Sequence, residues 1–222
     1  MEQPYRRYFE FLLEAGVKLE LECRTLATAS VLFRRLLNQS SFLETQPCLY
    51  TTLAACIYLA GKLEEDKVRI RNVINVVHRL LHPDERLEVD EEFWRMREGL
   101  GNLELFVIRS LGFRLKVEHP HPILLLCLSA LEGWFDRDVQ RRYPIARTAW
   151  TILRDSYVCP DLLLRHGPEL LSLSIVYMTL SMYNVKVQGV NYWWKVFCPE
   201  ASSIKLEDIG KEIMQCVYEI DV

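Results

Sequence analysis

Two long apolar stretches constrain the fold of this chain more than any other feature of its sequence. Residues 47–65 read "PCLYTTLAACIYLAGKLEE", and residues 168–183 read "PELLSLSIVYMTLSMY". Each begins with proline, which suits the first turn of a helix, and each is then apolar on nearly all sides. Such a helix is stable only when other helices surround it. The sequence therefore predicts two helical bundles, each built around one of these segments.

The rest of the chain is dominated by helical periodicity. Apolar residues recur three and four positions apart, and no strict alternation is long enough to indicate a sheet, so we predict an all-α fold. Thr25 and Asp90 are expected as helix N-caps, and Gly112 as a C-terminal signal. In the first half we expect five helices, at about 5–17, 25–38, 47–65, 70–81 and 90–111. In the second half we expect four or five, including about 123–135, 144–158, 168–184 and 204–220.

A proline-rich connector separates the two halves. Residues 113–122 read "FRLKVEHPHP", and the two prolines favour an extended backbone. We therefore predict two domains, residues 1–115 and 116–222, related by a weak structural duplication. When the two prolines that open the apolar stretches are aligned, Tyr183 lies opposite Lys62. The charged end of the first apolar helix therefore has no counterpart in the second half.

Composition excludes several classes of protein. The formal net charge is -3 and the pI is about 6.0, so the chain lacks the basic field typical of nucleic-acid binding. Seven cysteines occur without a Cys-x-x-Cys pair, which indicates a reducing compartment and no zinc ribbon. The longest uncharged runs, residues 45–61 and 170–185, are shorter than the roughly 20 apolar residues of a membrane helix. We therefore expect an intracellular protein, nuclear or cytoplasmic or both, without a membrane span.

No motif indicates catalysis, a cofactor or a metal. His78 and His82 have the spacing of a zinc-protease helix, but the glutamate that would act as general base is missing. His119 and His121 lie in the connector, where we expect them to seat the backbone. No nucleophile elbow or phosphate-binding glycine loop is present. The aromatic run "NYWWKVF" (191–197) is interpreted as a core plug rather than a base-stacking surface.

Two charged residues, Lys62 and Glu104, interrupt otherwise apolar helices. An isolated buried charge is costly, so each side chain must reach water or a partner. From the pattern alone, a lysine that extends to solvent and an exposed glutamate are the simpler interpretation. The charges that follow Lys62, residues 64–67, are expected to form a solvated helix end.

Several motifs together resemble a known family. The segments "LAGKLEE" (59–65) and "LELFVIRSLGF" (103–113) resemble the cyclin box. The segments "EHPHP" and "WWKVF" are similar to the transcriptional branch of cyclins. Within that branch, "EAGVKL" (14–19), "FWRMRE" (93–98) and "LRDSY" (153–157) resemble the cyclin Q group, also called cyclin M.

This resemblance implies a fold, a partner and a site. The fold would be two tandem five-helix cyclin boxes, and the chain would be a regulatory subunit without catalytic groups. Its first box would activate a cyclin-dependent kinase by packing against the kinase αC helix, with the cyclin-dependent kinase ten type favoured. We expect a heterodimer rather than a homo-oligomer. The implied kinase-binding residues are Lys62, Glu104, Leu63 and Glu65, of which Lys62 and Glu104 would lie together and bind kinase backbone groups.

A second class of function remains open at this point. A double cyclin fold of the TFIIB type binds promoter DNA or transcription factors. Such a protein would be expected to carry a basic face and a zinc ribbon, and this sequence favours neither.

Overall fold

The computed structural model describes residues 5–39, 42, 44, 48–135, 142–187 and 192–220. Over these ranges the chain is helical and contains no β-strand, which confirms the all-α prediction. Among the described helices, none is long and apolar enough to cross a membrane. The chain divides into two compact units, Met1–Val117 and Glu118–Val222.

The first unit is built around one buried helix. This helix, α3 (Leu49–Leu63), contacts four other described helices, and the side chains of Leu53, Cys56 and Ile57 are fully buried. α3 is thus the central helix that the apolar stretch predicts, although it begins at Leu49. Pro47, the expected first residue, lies outside the described residues. The helices are α1 (Arg6–Lys18), α2 (Cys23–Leu37), α3 (Leu49–Leu63), α4 (Ile70–Leu81) and α5 (Glu91–Ser110).

One of the two predicted N-caps in this unit is confirmed and the other is wrong. The Asp90 carboxylate accepts hydrogen bonds from the backbone N–H groups of Glu92 and Phe93 and so caps α5. Thr25 does not cap α2, because that helix already begins at Cys23. The Thr25 side chain is instead fully buried and donates a hydrogen bond to Asp66.

The end of α5 has the geometry expected from glycine. Gly112 has a φ of 57°, in the left-handed region that glycine adopts readily. Its N–H donates to the Arg109 carbonyl, and the next N–H, of Phe113, donates to the Ile108 carbonyl. These two bonds form a Schellman motif, which satisfies carbonyls that the helix end would otherwise leave unpaired.

The second unit also has a central helix. This helix, α8 (Asp161–Met182), contacts three other described helices and buries Leu173, Ile175 and Val176. The expected aromatic plug is confirmed for Trp193 and Trp194, which are buried in a short 3₁₀ turn, whereas Asn191 lies outside the described residues. The helices of this unit are α6 (His121–Glu132), α7 (Ile145–Asp155), α8 (Asp161–Met182) and α9 (Ser203–Tyr218), with 3₁₀ turns at Ser156–Val158 and Trp193–Val196.

α8 contains the helix predicted to begin at Pro168 and an earlier segment that was not predicted. The chain is already helical from Asp161, one segment earlier than expected. Gly167 then interrupts the helix with a φ of 74° and a ψ of 164°, and the second segment begins at Pro168. The proline therefore marks a second start after a kink and not the first helical residue.

Candidate functional site

Lys62 and Glu104 form a direct ion pair between α3 and α5. The Lys62 Nζ lies 2.7 Å from Oε1 and 2.8 Å from Oε2 of Glu104. The Lys62 side chain is 50% exposed, whereas that of Glu104 is only 11% exposed. The expectation of an exposed glutamate is therefore wrong.

The burial of Glu104 follows from its position on α5. Leu100, Glu104 and Val107 are all buried, and their spacing places them on one face of the helix. This face packs toward α3, so the carboxylate leaves water together with its apolar neighbours. A buried carboxylate is costly unless a charge or hydrogen-bond donor meets it, and Lys62 supplies both.

The local electrostatics keep Lys62 charged. Partial burial lowers the pKa of Lys62, but the hydrogen bond and the negative charge of Glu104 raise it by more in total. The Tyr58 hydroxyl raises the pKa of Lys62 further through electrostatics and a hydrogen bond, and the ring centroid lies 4.3 Å from Nζ. The net pKa of Lys62 lies above its ordinary value, so Lys62 is charged at neutral pH.

The ion pair retains capacity for a partner. A carboxylate has about four acceptor positions, so the two hydrogen bonds from Lys62 leave acceptor capacity on Glu104. Half of the Lys62 side chain faces solvent. The half-exposed ammonium and the largely buried carboxylate thus lie side by side, and together they are the complement of a backbone C=O and N–H pair.

A surface pocket opens beside the ion pair. Its volume is about 510 Å³, and it lies between the end of α3, the start of α4 and one face of α5. Trp94, on its rim, is 54% exposed. The lining residues are Tyr58, Lys62, Ile70, Trp94, Arg97, Glu98, Gly101, Asn102 and Glu104.

Leu63 and Glu65 lie in the turn that follows Lys62. Leu63 ends α3 and is 39% exposed. Glu65 is exposed and has a φ of 58°, in the left-handed region that is unfavourable for a residue with a Cβ. Within the described part of the chain, the Glu65 carboxylate is not hydrogen-bonded to the Lys62–Glu104 pair, and the Leu63 side chain is apolar. The structure thus brings two of the four predicted residues into contact and places the other two beside them.

The sequence reasoning missed the role of Glu64. Its carboxylate accepts a 2.6 Å hydrogen bond from the Thr28 hydroxyl and forms a 2.7 Å ion pair with Arg24. The Glu64 side chain is 10% exposed. The expected solvated helix end is therefore wrong at this residue, because Glu64 ties the end of α3 to α2.

Asp66 makes a second connection to α2. One carboxylate oxygen accepts a 3.0 Å hydrogen bond from the Glu22 N–H and a 2.9 Å hydrogen bond from the Thr25 hydroxyl. Thr25 and Thr28 lie three positions apart among the apolar residues of α2, and a hydroxyl that is buried there needs an acceptor. These two threonines were the sequence signal for the contacts with Glu64 and Asp66. Glu64 and Asp66 thus both attach the turn that contains Leu63 and Glu65 to α2.

The histidines and cysteines of the described ranges are not grouped as a metal site. His78, on α4, and His82, the residue after that helix, have ring centroids 5.0 Å apart. The buried ring of His121 stacks against Tyr157 at 5.8 Å, which fits a role in seating the connector. Among the described residues, no group of three or more His, Cys, Asp or Glu side chains is arranged to hold a metal ion.

Comparison with known sequences identifies relatives along the whole chain. Residues 2–116, just over half of the 222 residues, match the cyclin N-terminal domain family. Mouse (Mus musculus) cyclin-L2 is 31% identical over 211 residues, which cover 93% of this chain and 39% of cyclin-L2. Human (Homo sapiens) cyclin-K is 30% identical over 224 residues, which cover 96% of this chain and 36% of cyclin-K. The chain thus spans well under half the length of these relatives.

A solved structure shares the fold. A chain of the yeast RNA Pol II CTD kinase CTDK-1 complex superposes with a TM-score of 0.70 at 18% sequence identity. The superposition covers 96% of this chain and 67% of that chain. At this identity the likeness concerns the fold, and it confirms the cyclin fold that the sequence resemblance implies. From the family match and the relatives together, the chain belongs to the cyclin family, and cyclins K and L of the transcriptional branch are among its relatives.

Proposed function

We propose that this chain binds a cyclin-dependent kinase through its first unit and activates it. Cyclins are regulatory subunits of kinases and carry no catalytic groups of their own. The observation that supports a kinase-binding surface here is the Lys62–Glu104 pair. Its adjacent donor and acceptor are suited to a backbone C=O and N–H of the kinase, and Leu63 and Glu65 extend the same surface.

The proposed mechanism is a shift between two states of the kinase. A protein kinase is active only when its β3 lysine pairs with a glutamate on αC, which requires αC to be rotated inward. Binding of the first unit to αC favours that inward state. Moving such an equilibrium from 1:99 to 99:1 requires about 5.5 kcal/mol of differential binding free energy. An interface of ordinary size, roughly 1,600 Å² in total, can supply this amount.

The finer identity of the partner is also part of the proposal. The motifs "EAGVKL", "FWRMRE" and "LRDSY" support assignment to the cyclin Q group, whose family partner is cyclin-dependent kinase ten. We therefore propose a heterodimer with a kinase of that type, located in the nucleus, in the cytoplasm or in both. Cyclins K and L as relatives support the transcriptional branch as a whole.

The test is a binding and activity assay against a panel of purified cyclin-dependent kinases. We expect the wild-type chain to bind and activate at least one kinase, with cyclin-dependent kinase ten the favoured candidate. Lys62→Glu and Glu104→Arg should each reduce both binding and activation by at least about tenfold, because a buried charge is left unpaired at the interface. Lys67→Glu is the matched control, since Lys67 is exposed and lies five residues further along.

Two outcomes would contradict the proposal. If no kinase in the panel binds the wild-type chain, the proposed function is wrong. If a kinase is bound and activated equally by wild type, Lys62→Glu and Glu104→Arg, then the chain is a cyclin whose kinase-binding site lies elsewhere.

A further inference from the structure

We infer that two buried threonines of α2, Thr25 and Thr28, are positioning residues for kinase binding. By hydrogen bonds to carboxylates of the turn at residues 63–66, they fix the backbone that presents Leu63 and Glu65 to the partner. This inference rests on the proposed function, because Leu63 and Glu65 belong to the proposed kinase-binding surface.

The turn after α3 has a backbone conformation that its own sequence disfavours. The Asp66 N–H donates a 2.9 Å hydrogen bond to the Gly61 carbonyl, which is the longer-range bond of a Schellman motif. The residue before Asp66 is left-handed in this motif and is usually glycine, but here it is Glu65, with a φ of 58°. A Cβ makes that conformation unfavourable. Such a turn persists only when the surrounding structure holds it in place.

α2 holds the turn on both sides of Glu65. On one side, Glu64 accepts the 2.6 Å hydrogen bond from the Thr28 hydroxyl. On the other side, Asp66 accepts the 2.9 Å hydrogen bond from the Thr25 hydroxyl. Hydrogen bonds to an ionised acceptor are stronger than those between neutral groups. Both threonines are buried in a packed helix, so their hydroxyls are fixed supports for the turn.

The two carboxylates bound to α2 alternate along the chain with the two residues of the proposed kinase-binding surface. Leu63 and Glu65 are exposed, whereas Glu64 and Asp66 are half-buried. Fixing the backbone at Glu64 and Asp66 therefore also fixes the places from which the Leu63 and Glu65 side chains extend. Lys62 directly precedes this turn and ends on the same backbone support.

A turn that is ordered before binding favours association. It loses less conformational freedom when the kinase binds than a turn that must first become ordered. The threonines themselves make no contact with a partner, because both side chains are buried within the first unit. An effect of Thr25 or Thr28 on kinase affinity therefore acts through the chain itself, and the test below separates the turn from general stability.

A matched pair of double variants tests this role. Thr25→Val/Thr28→Val removes both hydroxyls that support the turn. Thr148→Val/Thr179→Val is the control, since it removes two threonine hydroxyls that are hydrogen-bonded in the second unit. Thermal unfolding is measured first, and binding is measured at a temperature where every variant is folded. Using the kinase that binds wild type most tightly in the panel, we expect Thr25→Val/Thr28→Val to weaken binding at least about fivefold and the control to stay within about twofold.

A second comparison separates the hydroxyls from the shape of the side chains. Thr25→Ser/Thr28→Ser keeps both donors and loses two methyl groups, so we expect its kinase affinity to stay within about twofold of wild type. Hydrogen exchange gives an independent readout in the free chain. The Asp66 amide, which is bonded to Gly61, should exchange faster in the valine variant than in the serine variant. If the valine double variant does not fold, Thr28→Val alone is compared with Thr148→Val by the same criteria.

The outcomes separate this inference from the proposed function. If Lys62→Glu weakens binding while both valine double variants bind as wild type does, the positioning role is wrong and the kinase proposal stands. Equal weakening by the two valine double variants would also overturn the inference, because a general loss of stability would then explain the effect. If Thr25→Ser/Thr28→Ser binds as weakly as the corresponding valine variant, the hydroxyls are not responsible. If wild type binds no kinase, both proposals fail.

Discussion

Replacing Asp66 with alanine tests whether the charged turn after α3 stabilises the first unit. In the structure, one Asp66 oxygen accepts a hydrogen bond from the Glu22 N–H at 3.0 Å and another from the Thr25 hydroxyl at 2.9 Å. The Asp66→Ala variant loses both acceptor contacts at once. It leaves the N-terminus of α2 without that acceptor and leaves the Thr25 hydroxyl unsatisfied in the protein interior.

The expected cost can be estimated contact by contact. Loss of a side-chain acceptor at a helix N-terminus costs about 1 kcal/mol. A buried hydroxyl left without a partner costs about 1–2 kcal/mol more, and Thr25 is fully buried. We therefore expect the free energy of unfolding to fall by about 2–3 kcal/mol and the melting temperature by about 5–10 °C.

The assay combines calorimetry of the whole chain with hydrogen exchange. Faster exchange of the amides in residues 23–37 would locate the loss in α2. Asp84→Ala is the matched control, since Asp84 is exposed in the same unit, and it should change stability by no more than about 0.5 kcal/mol. The double variant Asp66→Ala/Thr25→Val should cost less than the sum of the single variants. A change below about 0.5 kcal/mol for Asp66→Ala would refute the estimate.

Two further predictions concern packing and alkaline pH. Gly61→Ala should destabilise the first unit in urea unfolding, because the added Cβ would lie 2.5 Å from Val68 Cγ2. Gly99→Ala should stabilise the same unit by about 0.5–1 kcal/mol, because its Cβ meets nothing within 4 Å. Equal effects of the two variants would contradict this packing argument. Burial, followed by the charge and hydrogen bond of Asp155, raises the pKa of Tyr218 to about 12, above the value near 10 of an unfolded tyrosine. The folded state then holds a proton that the unfolded state has released, so stability falls as the pH rises from about 10 to about 12. Tyr218→Phe should lose less stability than wild type between pH 9 and 11, and parallel losses would contradict the assignment.

The central helices could be predicted because their signal is local. A stretch that is apolar on all sides needs no knowledge of its neighbours to be assigned to a core, and α3 follows that pattern. The segment of α8 that begins at Pro168 was predicted, whereas the segment from Asp161 to the kink at Gly167 was missed. Only the positive φ at this glycine lets the chain leave one helical segment and begin another at Pro168.

The candidate site was predictable only in part, because its contacts join distant parts of the chain. Lys62 and Glu104 are 42 residues apart, and Glu64 and Thr28 are 36 apart. The pattern around each charge shows that a partner or solvent is needed, but it does not say which. For Lys62 and Glu104 the family resemblance implied their proximity. For Glu64 the resemblance implied no partner, so a solvated helix end was expected.

A charge swap tests the central claim that the Lys62–Glu104 pair binds the kinase. The variant Lys62→Glu/Glu104→Lys keeps an ion pair between α3 and α5 but exchanges the positions of donor and acceptor. The measurement is the dissociation constant of the kinase, taken beside the unfolding temperature, for wild type, both single reversals and the swap. We expect the swap to recover most of the unfolding temperature lost in Lys62→Glu and still to bind the kinase at least about tenfold more weakly than wild type. If the swap binds as tightly as wild type, the pair is only an internal support and the kinase does not read it.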